Sequence, residues 1–348
     1  MLARRPIDAS ESLLGTPSPE RAAEITEDLE VALSSFGHEA GQYAVLGPDP
    51  WWVLWNDDRS GFIAFLEGRR GLLTWRSPVS HPHEQALLLG RLVRHARTKR
   101  KTLFAIEVNA TTKDAGVALG MTSIWTGTES FLDLATWSLL GGRRQKIRWA
   151  RRHAEKLGLQ WREAFPLSNT LDEHGVGHVQ HAWKAERTER ETDSFLRTDF
   201  GEIARLRRYF VCEGPEGIVA FVTCTPVNAE GWYLQDIVRL PSAPRGALEG
   251  AMAFALDVFR DDGYRFVSNG PLPFWRPGGE SEGQQKLGFV GQRALRFFND
   301  HYRFHGINQF RSKLEPDCVS DLYVLRSKRL ITPGALRTLT KLLSERTH

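Results

Sequence analysis

The chain has 348 residues, 41% of them apolar and 25% charged, which is the composition of a globular protein with a full core and excludes wholesale disorder. Its longest uninterrupted apolar run, Ala251 to Leu256, is six residues, far short of the ~20 a spanning helix needs, and no secretory leader precedes the first acids. Three cysteines without paired spacing (Cys212, Cys224, Cys318) and a net charge of only +4 point to a cytoplasmic, reducing setting and exclude a disulfide framework.

The first 40 residues are polar, and the acidic amphipathic stretch from Pro19 to Leu33 reads as a helix lying on the body. Trp51 to Trp55 reads as a strand, Asn56-Asp57-Asp58 as a turn, Gly61 to Leu66 as a second strand, and the run through Trp75 as a third. A helix follows, opened by Ser80 and Pro82 and carrying Leu88, Leu89, Leu92, Val93 and Ala96 on one stripe. Leu103 to Val108 is then a buried strand.

The second half repeats this order. Tyr209 to Cys212, Ile218 to Thr223 and Trp232 to Arg239 are strands separated by the turns Gly214-Pro215-Glu216-Gly217 and Asn228 to Gly231. A helix from about Ala247 buries Leu248, Met252, Ala255 and Phe259, and Phe266 to Asn269 is a strand again. A duplicated α+β lobe accounts for the pattern, and the order resembles an N-acetyltransferase-like (GNAT) lobe. The expected architecture is therefore two tandem GNAT-like lobes packed together: an extension over residues 1–40, a first lobe over 41–140, and a basic linking helix with a second, catalytic lobe over 141–348.

The small net charge hides two basic runs, Arg94 to Lys101 and Arg143 to Lys156. Each is either a solvated helix face or a surface for a polyanion, phosphate backbone or anionic headgroups. In the second run Arg144, Arg148, Arg151 and Arg152 recur at helical spacing and could line a phosphate track. Walker-A, G-x-G-x-x-G and G-x-S-x-G signatures are absent. The stretch Arg239 to Gly250, where a CoA-using GNAT carries its pyrophosphate loop, holds two prolines and misplaced glycines, so a GNAT scaffold without CoA is expected. His174, His178 and His181 fall at helical spacing, but Gly175 and Gly177 weaken that helix, and a solvated face is expected rather than a metal site. Cys212 and Cys224 read as core residues.

Asp236 and Arg239 lie three apart in one strand and so face opposite ways unless a bulge intervenes. Near the end, Tyr302, Phe304, Arg311 and Lys313 interleave aromatics with cations, as a snorkelling surface helix or a nucleotide-binding wall would.

These residues carry a family resemblance. The chain resembles the catalytic domain of aminoacyl-phosphatidylglycerol synthases, the multiple peptide resistance factor family (DUF2156), and its free-standing relatives, from about Gly41 to Leu325. The resemblance rests on Gly142 to Arg148 leading to Lys156-Leu157-Gly158, then Gly217 to Phe221, Asp236-x-x-Arg239 and Asn269-Gly270-Pro271-Leu272. It continues in Tyr302-x-Phe304-x-Gly306 and Phe310-Arg311-x-Lys313-x-x-Pro316. An aromatic expected shortly after Pro316 is missing, with Cys318 near its place. A segment expected before the second lobe appears only loosely at Arg190 to Phe195.

The resemblance implies two GNAT-like lobes and an aminoacyltransferase that takes its amino acid from aminoacyl-tRNA, with no further cofactor. It implies that Asp236 anchors the aminoacyl ammonium or assists proton removal, and that Arg239 organises that carboxylate or meets developing negative charge. Arg311 and Lys313 would hold the terminal phosphates, with Tyr302 or Phe304 stacking on a base and Arg144, Arg148, Arg151 and Arg152 along the acceptor stem. Because no membrane span is present, the expected acceptor leans to a small molecule, with the phosphatidylglycerol headgroup at a peripherally contacted membrane as the alternative and a CoA-dependent N-acyltransferase as a further one.

Overall fold

Alternating apolar runs cut by Gly- and Asn-containing turns build a three-stranded meander, β2 (Trp52–Trp55), β3 (Phe62–Glu67) and β4 (Gly71–Trp75), which the helix α2 (Gln85–Thr98) connects to β5 (Thr102–Val108), parallel to β4. The computed structural model describes residues 18–164, 170–186, 205–277 and 304–327, with single positions at 334, 337, 338 and 342. The first half also contains β1 (Glu20–Arg21), α1 (Thr26–Phe36), α3 (Ala110–Ala118) and the long β6 (Thr122–Asp133). After α4 (Gln145–Lys156), β7 (Gln160–Glu163) and α5 (Thr170–Ala185) the plan recurs. β8 (Arg208–Gly214), β9 (Gly217–Val227) and β10 (Gly231–Arg239) form a meander, and α6 (Ala247–Asp261) leads to β11 (Phe266–Pro273), parallel to β10. The chain then forms α7 (Phe304–Arg311) and β12 (Cys318–Arg326).

All twelve strands join one sheet in the order β1-β2-β3-β4-β5-β12-β6-β11-β10-β9-β8-β7. This is the tandem GNAT-like α+β arrangement expected from the repeat. The halves also interleave: β12, the last strand, inserts between β5 and β6, while β6 pairs with β11 of the second half. Neither half closes its own sheet, which is why the sequence needs no linker between them.

Each face is covered by helices whose apolar stripes supply the core. The α2 stripe read from the sequence (Leu88, Leu89, Leu92, Val93, Ala96) is buried against Leu54, Phe65 and Leu103, and α1 covers the other face of that half. In the second half α4 and α6 pack on one face against Phe210, Cys212, Val222, Cys224 and Leu234. On the opposite face, α5 sets Val176 and Val179 against Tyr209, Val211, Phe221 and Val238. Cys212 and Cys224 are thus core residues, as read, while Cys318 is exposed. His174, His178 and His181 lie along the exposed side of α5, and no group of three His, Cys, Asp or Glu among the described residues is placed to hold a metal ion. None of the helices in the described residues is long and apolar enough to cross a membrane.

Candidate active site at the diverging strands

β4 and β5 run side by side for five residue pairs, but β10 and β11 pair only over Gly231–Tyr233 and Phe266–Ser268. Beyond that point β10 stays with β9 and β11 with β6, and the sheet opens between them. Both strands carry an extra residue at the mouth of this opening, Gln235 in β10 and Asn269 in β11. The Gln235 bulge has a specific effect. Pairing runs Leu234 with Cys224 and then Asp236 with Thr223, so the bulge turns Asp236 away from the α4–α6 core and onto the face of Tyr233 and Thr225.

Asp236 is there only 2% exposed. Its Oδ2 accepts a hydrogen bond from Thr223 Oγ1 at 2.6 Å, and its amide donates to the same hydroxyl at 3.2 Å. Its Oδ1 has no hydrogen-bond partner among the described residues, and neither have the buried Asn269 Oδ1 and Thr225 Oγ1. Burial pushes the Asp236 carboxyl above the usual carboxylate range, while Arg207, the Thr223 bond, Arg311 and Lys184 pull the other way. A buried carboxylate oxygen with no donor among the described residues, under the influence of several cations, marks a candidate functional group.

Arg311 comes to this opening from the end of α7. Its Nη1 donates to Pro271 O at 3.3 Å, its backbone oxygen accepts from Asn269 Nδ2 at 2.9 Å, and its charge offsets part of the upward push that burial gives the Tyr233 phenol. Gly270 makes the crossing possible: at φ +83° it sits in the left-handed region, and a Cβ there would stand 1.9 Å from Arg311 Nη1.

Next to Tyr233, at the seam between the halves, lies a buried ion cluster. Arg76 Nη1 donates to Glu129 Oε2 at 2.6 Å, Arg76 Nη2 is 3.4 Å from Glu107 Oε2, and Ser268 Oγ donates to Glu129 Oε1 at 2.7 Å. Burial pulls the Arg76 guanidinium down, but Glu129, Glu107 and Glu39 overcome it and hold it firmly charged. Arg76 and Glu107 both adopt left-handed backbone conformations, φ 70° and 56°, an uncommon choice for residues with side chains.

The other predicted residues are placed differently. Arg239 pairs with Ala220 on the α4–α6 side of the sheet, opposite Asp236, and its Nη1 donates to the carbonyls of Leu240, Pro241 and Ala243 at 3.2–3.4 Å. The bulge lies before Asp236 rather than between the two residues, so they remain on opposite faces and Arg239 does not organise the carboxylate. Lys313, two residues past Arg311, also turns to the α4–α6 side, where Nζ donates to Glu249 Oε1 at 2.9 Å. Tyr302 lies outside the described residues, as do Arg190 to Phe195; Phe304 begins α7 and its side chain is outside them too.

The arginines of the linking helix are mostly used internally. Arg144 is 1% exposed, donates from Nε to Leu314 O at 2.9 Å and lies over the Trp137 ring. Arg148 Nη1 holds Leu139 O and Gly141 O, both at 2.5 Å, and Arg151 Nη1 pairs with Asp257 Oδ2 at 3.0 Å. Of the four, Arg152 alone is exposed. Their spacing reflects the anchoring of α4 to the body, not an open phosphate track.

Between α4, the start of α6 and Lys313 is an open cleft of about 380 Å³, lined by Lys146, Trp149, Arg245 and Glu249 among others. Here α4 presses directly on the first turn of α6. Gly246, at φ +100°, has the Ala150 carbonyl oxygen 2.1 Å from where a Cβ would stand. Gly246→Ala is therefore expected to destabilise the protein by at least about 1–2 kcal/mol, from backbone strain plus collision with a main-chain atom, read as a lowered midpoint in calorimetric unfolding.

The profile of the family described as "Phosphatidylglycerol lysyltransferase, C-terminal" matches residues 42–326. The chain belongs to this family. It is 19% identical over 313 residues to the phosphatidylglycerol lysyltransferase of Staphylococcus aureus strain MRSA252, an alignment covering 86% of this chain and 36% of that protein. Among solved structures, the L-PGS of Bacillus licheniformis superposes with a TM-score of 0.74 at 20% identity, over 91% of this chain and 96% of that one. A C-terminal DUF2156 domain from Agrobacterium fabrum gives 0.72 at 17% identity, over 92% and 98%. The family assignment agrees with the resemblance carried by the sequence motifs, and at these identities the two structures establish the fold of this lysyltransferase-family domain. The chain spans about a third of the length of the curated relatives it matches.

Sequence reasoning did not single out Thr223, Tyr233, Arg76 or Glu129 as part of the site. Arg76 had a signal, a charge directly after the apolar strand run Gly71–Trp75, whereas Glu129 sits between Thr128 and Ser130 and had none. Thr223 and Tyr233 had none, because threonine and tyrosine are ordinary strand residues.

Proposed function

We propose that this chain is an aminoacyltransferase that moves an aminoacyl group from aminoacyl-tRNA to the glycerol hydroxyl of phosphatidylglycerol, at the opening between β10 and β11. The observation that carries the reading is Asp236 Oδ1, a buried acceptor without a donor among the described residues, held in a diverging-strand opening of a chain that belongs to the lysyltransferase family. An aminoacyl ester is already activated, so the reaction needs positioning, removal of the acceptor proton and a cation for the oxyanion. Arg311, at the opening between β10 and β11, is the candidate cation for the oxyanion; its charge acts on Asp236 together with the larger pull of Arg207 and that of Lys184. The hydroxyl oxygen attacks the ester carbonyl, and the ribose oxygen of the tRNA leaves with the proton the acceptor gives up.

Two observations bear on the alternatives. A donor with a CoA pyrophosphate would approach the first turn of α6, where Ala150 of α4 already sits against Gly246; this supports a donor other than CoA. The acceptor leaning drawn from the sequence was a small molecule. Neither the structure nor the relatives support it, and the family description favours its alternative, the lipid.

Incubation with charged tRNAs and phosphatidylglycerol vesicles tests the reading, with label expected in the lipid fraction; label remaining on the tRNA with every amino acid offered would refute it. Whichever hydrogen Asp236 Oδ1 takes, ammonium N–H or hydroxyl O–H, the productive state is the ionised carboxylate. Because burial raises its pKa, the transfer rate is expected to fall as pH drops, with a midpoint above the usual carboxylate range of ~4. A rate independent of pH down to ~4 would remove Asp236 from that role.

A further inference from the structure

The opening between β10 and β11 widens toward the C-terminal ends of those strands, and the strand register fixes what shares that end of the sheet. Pro273 of β11 lies level with Gly127 of β6 and, through it, with Leu322 of β12. These two strands run on to Thr122 and Arg326, which stand level with Phe104 near the start of β5. The β3–β4 turn, the end of α2 and the end of α3 therefore project from the same edge of the sheet as the opening. Three strand spacings, about 15 Å, separate β5 from β11.

This edge is cationic. Arg69 and Arg70 in the β3–β4 turn, and Arg97, Lys99 and Arg100 at the end of α2, are all exposed. Glu67, the acid beside the turn, is paired with Lys101. Two aliphatic side chains stand among the cations: Val117 at the end of α3, 49% exposed, and Ile124 near the start of β6, 45% exposed. No aromatic ring on this edge is exposed among the described residues. Arg100 also departs from what a helix end alone selects. The Lys101 amide donates to Ala96 O at 2.9 Å, which closes α2 and leaves Arg100 at φ 55°, in the left-handed position that glycine or asparagine ordinarily fills. A guanidinium is kept there against the preference of the backbone.

We propose that this edge is a membrane-docking surface. Its cations meet the headgroups of an anionic phospholipid bilayer, Val117 and Ile124 enter the interface, and the opening between β10 and β11 is thereby turned to lipids in the bilayer plane. The proposal rests on the proposed lipid acceptor and adds the surface that brings the site to it. Cations interspersed with aliphatic side chains suit a headgroup layer, whose charges move laterally and demand no fixed spacing. A single-stranded nucleic acid calls for exposed rings on which its bases stack, and this edge offers none among the described residues.

Sedimentation of the full chain with vesicles tests the proposal. The parent is expected to bind vesicles of mixed phosphatidylglycerol and phosphatidylcholine but not phosphatidylcholine alone, and to be released as salt approaches ~1 M. Each cation removed should weaken binding about fivefold, so R69S/R70S/K99S is expected to lose about a hundredfold. K146S/R152S/K156S, which removes the same charge from exposed positions of α4, should bind as the parent does. Arg100→Gly separates docking from folding: vesicle binding should weaken about fivefold while the unfolding midpoint stays equal or rises. With phosphatidylglycerol dispersed in detergent, R69S/R70S/K99S should transfer at the parental rate, and with vesicles more slowly. Parental sedimentation of R69S/R70S/K99S, an equal loss from the α4 variant, or failure of the parent to bind phosphatidylglycerol vesicles would overturn the proposal. So would a loss of tRNA binding by R69S/R70S/K99S in place of vesicle binding, or an equal loss of transfer in detergent and in vesicles. Because docking is read without transfer, a parent that binds vesicles through this edge but transfers nothing to lipid would refute the proposed reaction and leave the docking surface standing.

Discussion

Asp236→Asn is expected to lower the transfer rate by about 10²–10⁴-fold while leaving the protein folded and, if anything, more stable. The amide keeps the shape and can still accept from Thr223, whose hydroxyl now lies 2.6 Å from Oδ2. What it loses is the charge, and with it the ability to take a proton or to neutralise an ammonium, each of which contributes on that scale. The stability sign follows from linkage. Burial raises the folded-state pKa of this carboxyl above its unfolded value, so the native state binds the proton more tightly. The resulting stabilisation is present below the unfolded pKa and is lost as pH rises through the folded one. At neutral pH the parent carries the cost of a buried charge, which the asparagine removes. Parallel calorimetry and transfer assays check both halves. A variant that is inactive because it unfolds, or one that is active, would contradict the assignment; inactivity with an equal or higher unfolding midpoint is the expected signature of a residue kept for chemistry at the expense of stability.

The fold was legible in the sequence to the extent that it is local. The strand–turn–strand–turn–strand–helix–strand order of each half follows from residue periodicity, though α3, β6, β7, α5 and β12 were not legible, and the α2 and α6 stripes are buried where the pattern placed them. The exchange of β6 and β12 was not legible, because pairing between strands about 190 residues apart leaves no mark in either one's composition. The site was legible in the identity of its residues and not in their arrangement. Asp236 and Arg239 read as a pair because they are three apart, but whether two strand residues share a face is decided by an inserted residue, and Gln235 looks like any other strand position. The arginines of α4 misled for a related reason. Arginine spacing marks a helix face without saying which face, and guanidinium groups with backbone carbonyls in reach are consumed as anchors. The outward stripe that remains, Lys146, Trp149, Arg152 and Lys156, could be recognised only after the packing of Ile147, Ala150 and Ala154 fixed the helix rotation.

The cluster at the seam gives the largest expected effect on stability. Arg76→Met is expected to destabilise the protein by about 3–5 kcal/mol, the usual consequence of removing one partner from a buried ion pair. The carboxylates of Glu39, Glu107 and Glu129 share this one guanidinium, and Glu129 is as deeply buried as Arg76, each 2% exposed. Without Arg76 those carboxylates retain little but Ser268 Oγ and the amides of Ala40 and Ser77 as donors among the described residues. Burial already pushes Glu39 upward against the pull of Arg76, so losing the guanidinium raises it further. The variant should therefore regain stability as pH falls from neutral toward ~5 and the carboxyls take up protons. Glu129→Gln in the same background should recover part of the loss, because it removes one uncompensated charge while keeping a group that can accept from Ser268. The pair joins β6 to the turn after β4, so its rupture acts where the two halves interleave. If the single and double variants unfold alike at every pH, the cluster is not coupled as described. If the double variant is the more stable and the difference shrinks at low pH, the seam is held by charge pairing that the rest of the sheet cannot replace.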